Sequence, residues 1–125
     1  ERVEIDRAIR EVQQGRSDLA EDRLRAFLDD YPRSPLRAEA WYWIGESQFV
    51  RGQYREAAKS YLEGHESQGP RAMAAGNLVK LGVTLGRLGQ TGEACLTLAE
   101  VAKRYPDETR AVEEANGEAQ RLSCP

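Results

Sequence analysis

The sequence predicts an all-α chain in which three helical hairpins stack into a superhelix and a seventh, C-terminal helix caps the end. Two observations predict it. At a shift of 37 residues five kinds of position recur in three copies. Pro or Gly also interrupts the apolar pattern at each border between copies, where it disfavours a continuing helix.

The columns assign the elements. Ala8, Gly45 and Gly82 fall midway along the first helix of each copy, where a minimal side chain lets the second helix approach despite the helix cost of glycine. Gly15, Gly52 and Gly89 follow, suited to end that helix and turn the chain. Ala20, Ala57 and Ala94 open the buried face of the second helix, and Leu24, Tyr61 and Leu98 continue it four residues on. Pro32, Gly69 and Pro106 break the chain between copies. The expected helices are 2–14 and 17–31, then 36–51 and 54–67, then 71–88 and 91–104, and last 108–122 with Asn116-Gly117 as a candidate break. One domain over 1–125 is expected, with repeats at about 1–37, 38–74 and 75–107 and a closing helix at about 108–122.

Composition narrows the function. The 18 basic and 21 acidic residues leave a net charge of −3, which is no basic footprint for nucleic acid. The whole deficit lies in residues 107–125, whose five acids face two arginines. No apolar run approaches the roughly 20 residues that span a bilayer, so membrane insertion is not expected. The chain starts at Glu1 and its only methionine is Met73, as in a processed or excised segment, a start compatible with removal of an export signal.

The stretches Trp41-Tyr42-Trp43-Ile44-Gly45-Glu46 and Gly52-Gln53-Tyr54-Arg55-Glu56-Ala57-Ala58, with Tyr61, resemble the tetratricopeptide consensus of an aromatic, an apolar-Gly pair, a turn Gly and an Ala. The spacing of 37 exceeds the usual 34, and the first copy has Glu4, Arg7 and Ala8 in place of the opening aromatic and Leu-Gly. A narrower resemblance lies in Phe27-Leu28-Asp29-Asp30-Tyr31-Pro32-Arg33-Ser34-Pro35, Ala38-Glu39-Ala40-Trp41, Lys80-Leu81-Gly82-Val83-Thr84-Leu85, Gly89 to Leu98, and Arg104-Tyr105-Pro106. These are similar to the C-terminal domain of the Tol-Pal-associated periplasmic family called YbgF or CpoB. Gly64 to Pro70 departs from that family's Tyr-Pro border. The resemblance implies a periplasmic cell-division coordinator that binds TolA and links outer-membrane constriction to septal peptidoglycan synthesis. It also implies an N-terminal trimeric coiled coil outside these residues and a peptidoglycan synthase as a further partner. An outer-membrane assembly lipoprotein of the helical-repeat type, or a generic repeat adaptor, is the alternative.

In such stacks the first helices line a concave surface that takes partner segments. The repeat phase projects Tyr42, Glu46, Phe49, Lys80, Val83 and Arg87 toward it, with Ile5, Ile9 and Val12 from the first unit. Phe49 and Val83 are equally readable as core. Trp41, in the aromatic column, reads as core, and Trp43 as packed between units or exposed. Lys and Asn would be needed here for a chaperone-tail clamp, but Ile5, Ile9, Tyr42 and Glu46 stand in those places. Cys95 and Cys124 either form a disulfide tying the closing helix to the last repeat, as suits an oxidising compartment, or are a buried and a free thiol. Catalytic residues, cofactors and metals are not expected. The only histidine, His65, reads as a surface residue whose carboxylate neighbours are Glu63 and Glu66 alone. Gly86 to Gly92 lacks the Lys-Ser/Thr ending of a phosphate loop and reads as a hairpin turn, and no nucleophile motif is present.

Overall fold

Each helix stops where its repeat carries a residue that ends it. A computed structural model describes residues 1–125 as seven α-helices: α1 (Arg2–Gln13), α2 (Ser17–Asp30), α3 (Arg37–Val50), α4 (Tyr54–Glu66), α5 (Arg71–Arg87), α6 (Thr91–Arg104) and α7 (Thr109–Arg121). Their ends lie within one residue of those read from the sequence. Gly15, Gly52 and Gly89 take φ of +80°, +76° and +79°. That conformation aims the next N–H back along the helix, so Arg16, Gln53 and Gln90 donate to the carbonyls of Glu11, Gln48 and Leu85 at 2.7, 2.9 and 3.0 Å. The chain's end copies this closure with Ser123 at φ 58°, and Cys124 N–H donates to Ala119 carbonyl at 2.9 Å. Asn116-Gly117, expected as a break, lies inside an uninterrupted α7, where Gly117 meets no neighbour and is merely tolerated. The turn after α4 is carried by extended Ser67 and Pro70, so the repeat border at residue 74 is a register mark inside α5.

Consecutive helices pack against each other throughout. In addition α1 touches α3, α3 touches α5 and α5 touches α7, while α2, α4 and α6 make no mutual contact. The odd helices therefore form the crowded inner layer and the even helices splay apart on the outer side.

Within each hairpin a small residue of the inner helix receives a large one of the outer helix. A Cβ on Gly45 would lie 2.5 Å from Tyr61 Cε1, and one on Gly82 would lie 2.6 Å from Leu98 Cδ2. Ala8 and Leu24, both fully buried, hold the same places in the first hairpin. Two apolar clusters result, one around Ile5, Leu24, Phe27 and Ile44, the other around Val79, Val83, Leu98 and Val101. Ile5 and Val83, projected onto the concave surface, are thus core residues, at 0% and 8% exposure. The physical reason is the crossing of the paired helices, which turns part of the inner stripe toward its own outer helix.

The middle of the stack is more polar. Ser47, Gln48, Ser60 and Asn77 are buried there beside Tyr61. Gln48 donates to Glu21 at 3.1 Å and accepts from the Ser60 hydroxyl at 2.6 Å, while Arg25 and Arg51 both pair with Glu21. Burial opposes ionisation of Glu21, but the Arg51 and Arg25 guanidiniums outweigh it and hold its carboxyl below the usual range. Asn77 amide donates to the carbonyls of Ala38 and Met73, bridging α3 and α5. In the first hairpin Arg23 grips Glu11 with two bonds of 2.8 Å, which keeps that largely buried carboxyl ionised.

Cys95 and Cys124 are joined by a disulfide, with Cα atoms 5.5 Å apart. Helix α7 needs the bond, since Ala115 is its only fully buried residue. Leu122 seats against Gly86 of α5, where a Cβ would stand 3.1 Å from Leu122 Cδ1.

Gly45→Ala should lower unfolding stability by about 1–3 kcal/mol through overpacking against Tyr61. Gly76→Ala, whose new Cβ lies 4.0 Å from Tyr42, should raise stability by about 0.5–1 kcal/mol by removing a glycine from a helix interior. Urea titrations followed by circular dichroism measure both. Replacing Cys95 and Cys124 by Ser should cost about 3–4 kcal/mol on the chain-entropy model. Hydrogen exchange should then show α7 losing protection before α1 to α5.

Candidate protein-binding groove

The helical period sets which side chains of the inner layer face the same way. Along α3 the residues Glu39, Tyr42, Trp43 and Glu46 share one face, and Ala72, Met73, Gly76 and Lys80 do so along α5. Where α1, α3, α5 and α7 meet, these faces enclose a groove of about 570 Å³. Tyr42, Trp43, Met73 and Gly76 line it at the centre, with Ile9 on the α1 side and Ala111 on the α7 side. Glu39, Glu108, Glu114 and Arg110 supply its charges.

Tyr42 meets Trp43 edge to face at 5.3 Å and Tyr61 at 6.0 Å. Burial, followed by the nearby Glu46 and Glu114 carboxylates, pushes the Tyr42 phenol well above its ordinary value, and Arg110 opposes this weakly. The phenol therefore stays protonated and able to donate at any physiological pH. Glu39 is held in a two-bond pair by Arg2, at 2.8 and 2.5 Å. Glu108, Glu114 and Arg110 form no ion pair within the chain.

The residues projected from the sequence divide into three sets. Tyr42, with Ile9, lies in the groove. Val12 packs on the first apolar cluster and Val83 lies inside the second. Glu46, Phe49, Lys80 and Arg87 engage one another. Glu46 accepts the Tyr61 hydroxyl at 2.5 Å and pairs with Lys80 at 3.2 Å. The Lys80 ammonium sits 4.3 Å from the Phe49 ring centroid, and the Arg87 guanidinium lies 5.2 Å from the same ring. Phe49 in turn meets Tyr54 at 5.1 Å. This cluster ties α3, α4 and α5 together beside the groove and leaves its cations already partnered.

Met73, Gly76, Glu39 and the α7 residues Glu108, Arg110, Ala111 and Glu114 were not projected. The 37-residue phase does not find the α7 set, since it aligns Ala111 and Glu114 with Ala74 and the buried Asn77, neither of which lines the groove. Trp41, expected in the core, packs against the first apolar cluster while half-buried, and its outer edge lines a crevice with Arg25, Lys59 and Glu56. Its indole N–H is enclosed without a hydrogen-bond partner. Trp43 packs between units and also lines the groove.

His65, expected on the surface, is half-buried as a strut between the second and third hairpins. Its Nε2 lies 3.0 Å from the Tyr105 hydroxyl, and Arg71 stacks over the same Tyr105 ring at 5.1 Å. Burial, and then the Arg104 cation, lowers the imidazole pKa.

A tetratricopeptide repeat family model matches residues 5–76, and a second tetratricopeptide repeat model matches residues 77–108. No curated protein matches the chain.

The lowered His65 pKa has a defined sign. The folded chain holds this proton more weakly than the unfolded chain, so its stabilising contribution is fully present above the ordinary value of 6.5. It is lost as the pH falls from there to the lowered folded value. His65→Gln should flatten the decline in urea midpoint as the pH falls below 6.5, where this only histidine titrates.

Proposed function

The chain belongs to the tetratricopeptide repeat family, and from that premise we propose that it serves in the bacterial periplasm as a scaffold that binds TolA through its inner groove. Repeats of this family are protein-interaction scaffolds. The observation that carries a binding role is the groove itself, where Tyr42, Trp43 and Met73 stay accessible although the stack has apolar clusters on either side of it. An aromatic floor with a charged rim is the composition of a protein-binding hot spot.

The periplasm is supported by the Cys95–Cys124 bond, since disulfides persist in oxidising compartments. Tyr31-Pro32 and Tyr105-Pro106, with the surrounding Tol-Pal-like text, support the partner. On this reading the chain links the Tol-Pal machinery to septal peptidoglycan synthesis in dividing cells, with a synthase as its further partner. A trimeric coiled coil preceding these residues would present three such grooves together, raising avidity without new contacts.

Titration of the chain with the periplasmic region of TolA, followed by calorimetry, should give saturable binding. Tyr42→Ala, in the groove, should weaken binding at least about fivefold, equal to about 1 kcal/mol, with the helical circular dichroism signal retained. Absence of binding by the folded parent chain would overturn TolA as the partner.

A further inference from the structure

The charges around the inner groove discriminate between partner segments. Resting on the reading that this groove binds a protein segment, we infer that it selects a segment presenting a Lys or Arg side chain next to an apolar one.

The charged groups lining it are three carboxylates and one guanidinium. Glu39 is already satisfied by Arg2. Glu108 and Glu114 form no ion pair, although Glu108 lies within the field of Arg71, whose own contact is with Asp107, and Arg110 forms none either. Two free carboxylates therefore face one free guanidinium. The other cations of this inner layer do not redress the balance, because Lys80 is held by Glu46 and Phe49, and Arg87 stacks on Phe49. The wider field has the same sign. All of the chain's net charge of −3 lies in residues 107–125, and α7 forms one wall of the groove. A concave site walled by one sign of charge concentrates the opposite sign.

The apolar part of the lining suits the rest of such a side chain. A Lys or Arg stem can lie along Met73 and Ala111 while its charged head reaches the Glu108 and Glu114 carboxylates, as long cationic side chains do on apolar surfaces. The Tyr42 and Trp43 rings offer π faces to the same cation, and Ile9 and Met73 remain for the apolar neighbour. An acidic segment would find Arg110 alone and would face both free carboxylates.

Three short synthetic peptides with one leucine and alanine framework, carrying Lys, Gln or Glu at the same positions, test this against the isotope-labelled chain. The Trp43 indole and Met73 methyl resonances report groove occupancy. The Lys peptide should bind about tenfold more tightly than the Glu peptide at low salt, as two exposed ion pairs allow, and lose that margin at high salt. Glu108→Gln with Glu114→Gln should erase the margin. Glu108 makes no capping hydrogen bond and Glu114 is exposed, so both variants should fold. Glu113→Gln, an exposed neighbour that does not line the groove, should keep the margin. Equal or tighter binding of the Glu peptide, or a margin that survives the double substitution, would overturn the charge preference. If all three peptides move Trp43 and Met73 with equal affinity, groove binding stands and the preference falls. If none moves them, both fall.

Discussion

The closeness of paired helices at Gly45 and Gly82 governs the rest of this molecule. With no Cβ at these positions, the Tyr61 ring and the Leu98 side chain pass directly over the inner-helix backbone. Ala8 and Leu24, both fully buried in one apolar cluster, hold the corresponding places in the first hairpin. That contact fixes how far each outer helix stands from its inner one, and so fixes the tilt at which the next hairpin stacks. Inner helices then touch across hairpins while outer helices do not. A concave groove is the geometric result of this inequality.

Polar pairing follows the same repeat. Glu11 with Arg23 and Gln48 with Ser60 occupy corresponding places, each joining the end of an inner helix to its outer partner. One pair is ionic and the other neutral because the surroundings differ. Arg23 remains partly exposed, whereas Ser60 is buried against α3, where an unpaired charge would be costly. Further along, Glu46 serves Tyr61 and Lys80 together and draws Lys80 over Phe49. Charges that look available in the sequence are thereby committed to holding three helices.

The closing helix plays two parts at once. It covers the last hairpin with modest apolar burial, supplemented by Leu122 on Gly86 and by the disulfide. It also supplies one wall of the groove through Glu108, Ala111 and Glu114. Its anchoring and the shape of the binding surface are consequently one problem. A salt link of Arg71 to Asp107, with Arg71 also reaching the Arg104 carbonyl, fixes the approach to α7 from the opposite end.

The sequence by itself determined the seven helices, their ends and their pairing, because glycine conformation, proline sterics and apolar period act locally and were repeated three times. Gly15, Gly52 and Gly89 were legible for this reason, as was the tie available between Cys95 and Cys124. Tyr42 was legible as a groove residue because it stands on the inner stripe of a regular helix. Only the tertiary structure decided which other members of that stripe remain accessible. Helix crossing took Ile5 and Val83 into the core, and mutual pairing took Glu46, Lys80 and Arg87 out of the free set. Packing of α7 brought in Glu108, Arg110 and Glu114 from a segment whose repeat text is weak. Period places a side chain on a face, but what occupies the space before that face depends on helices distant in sequence.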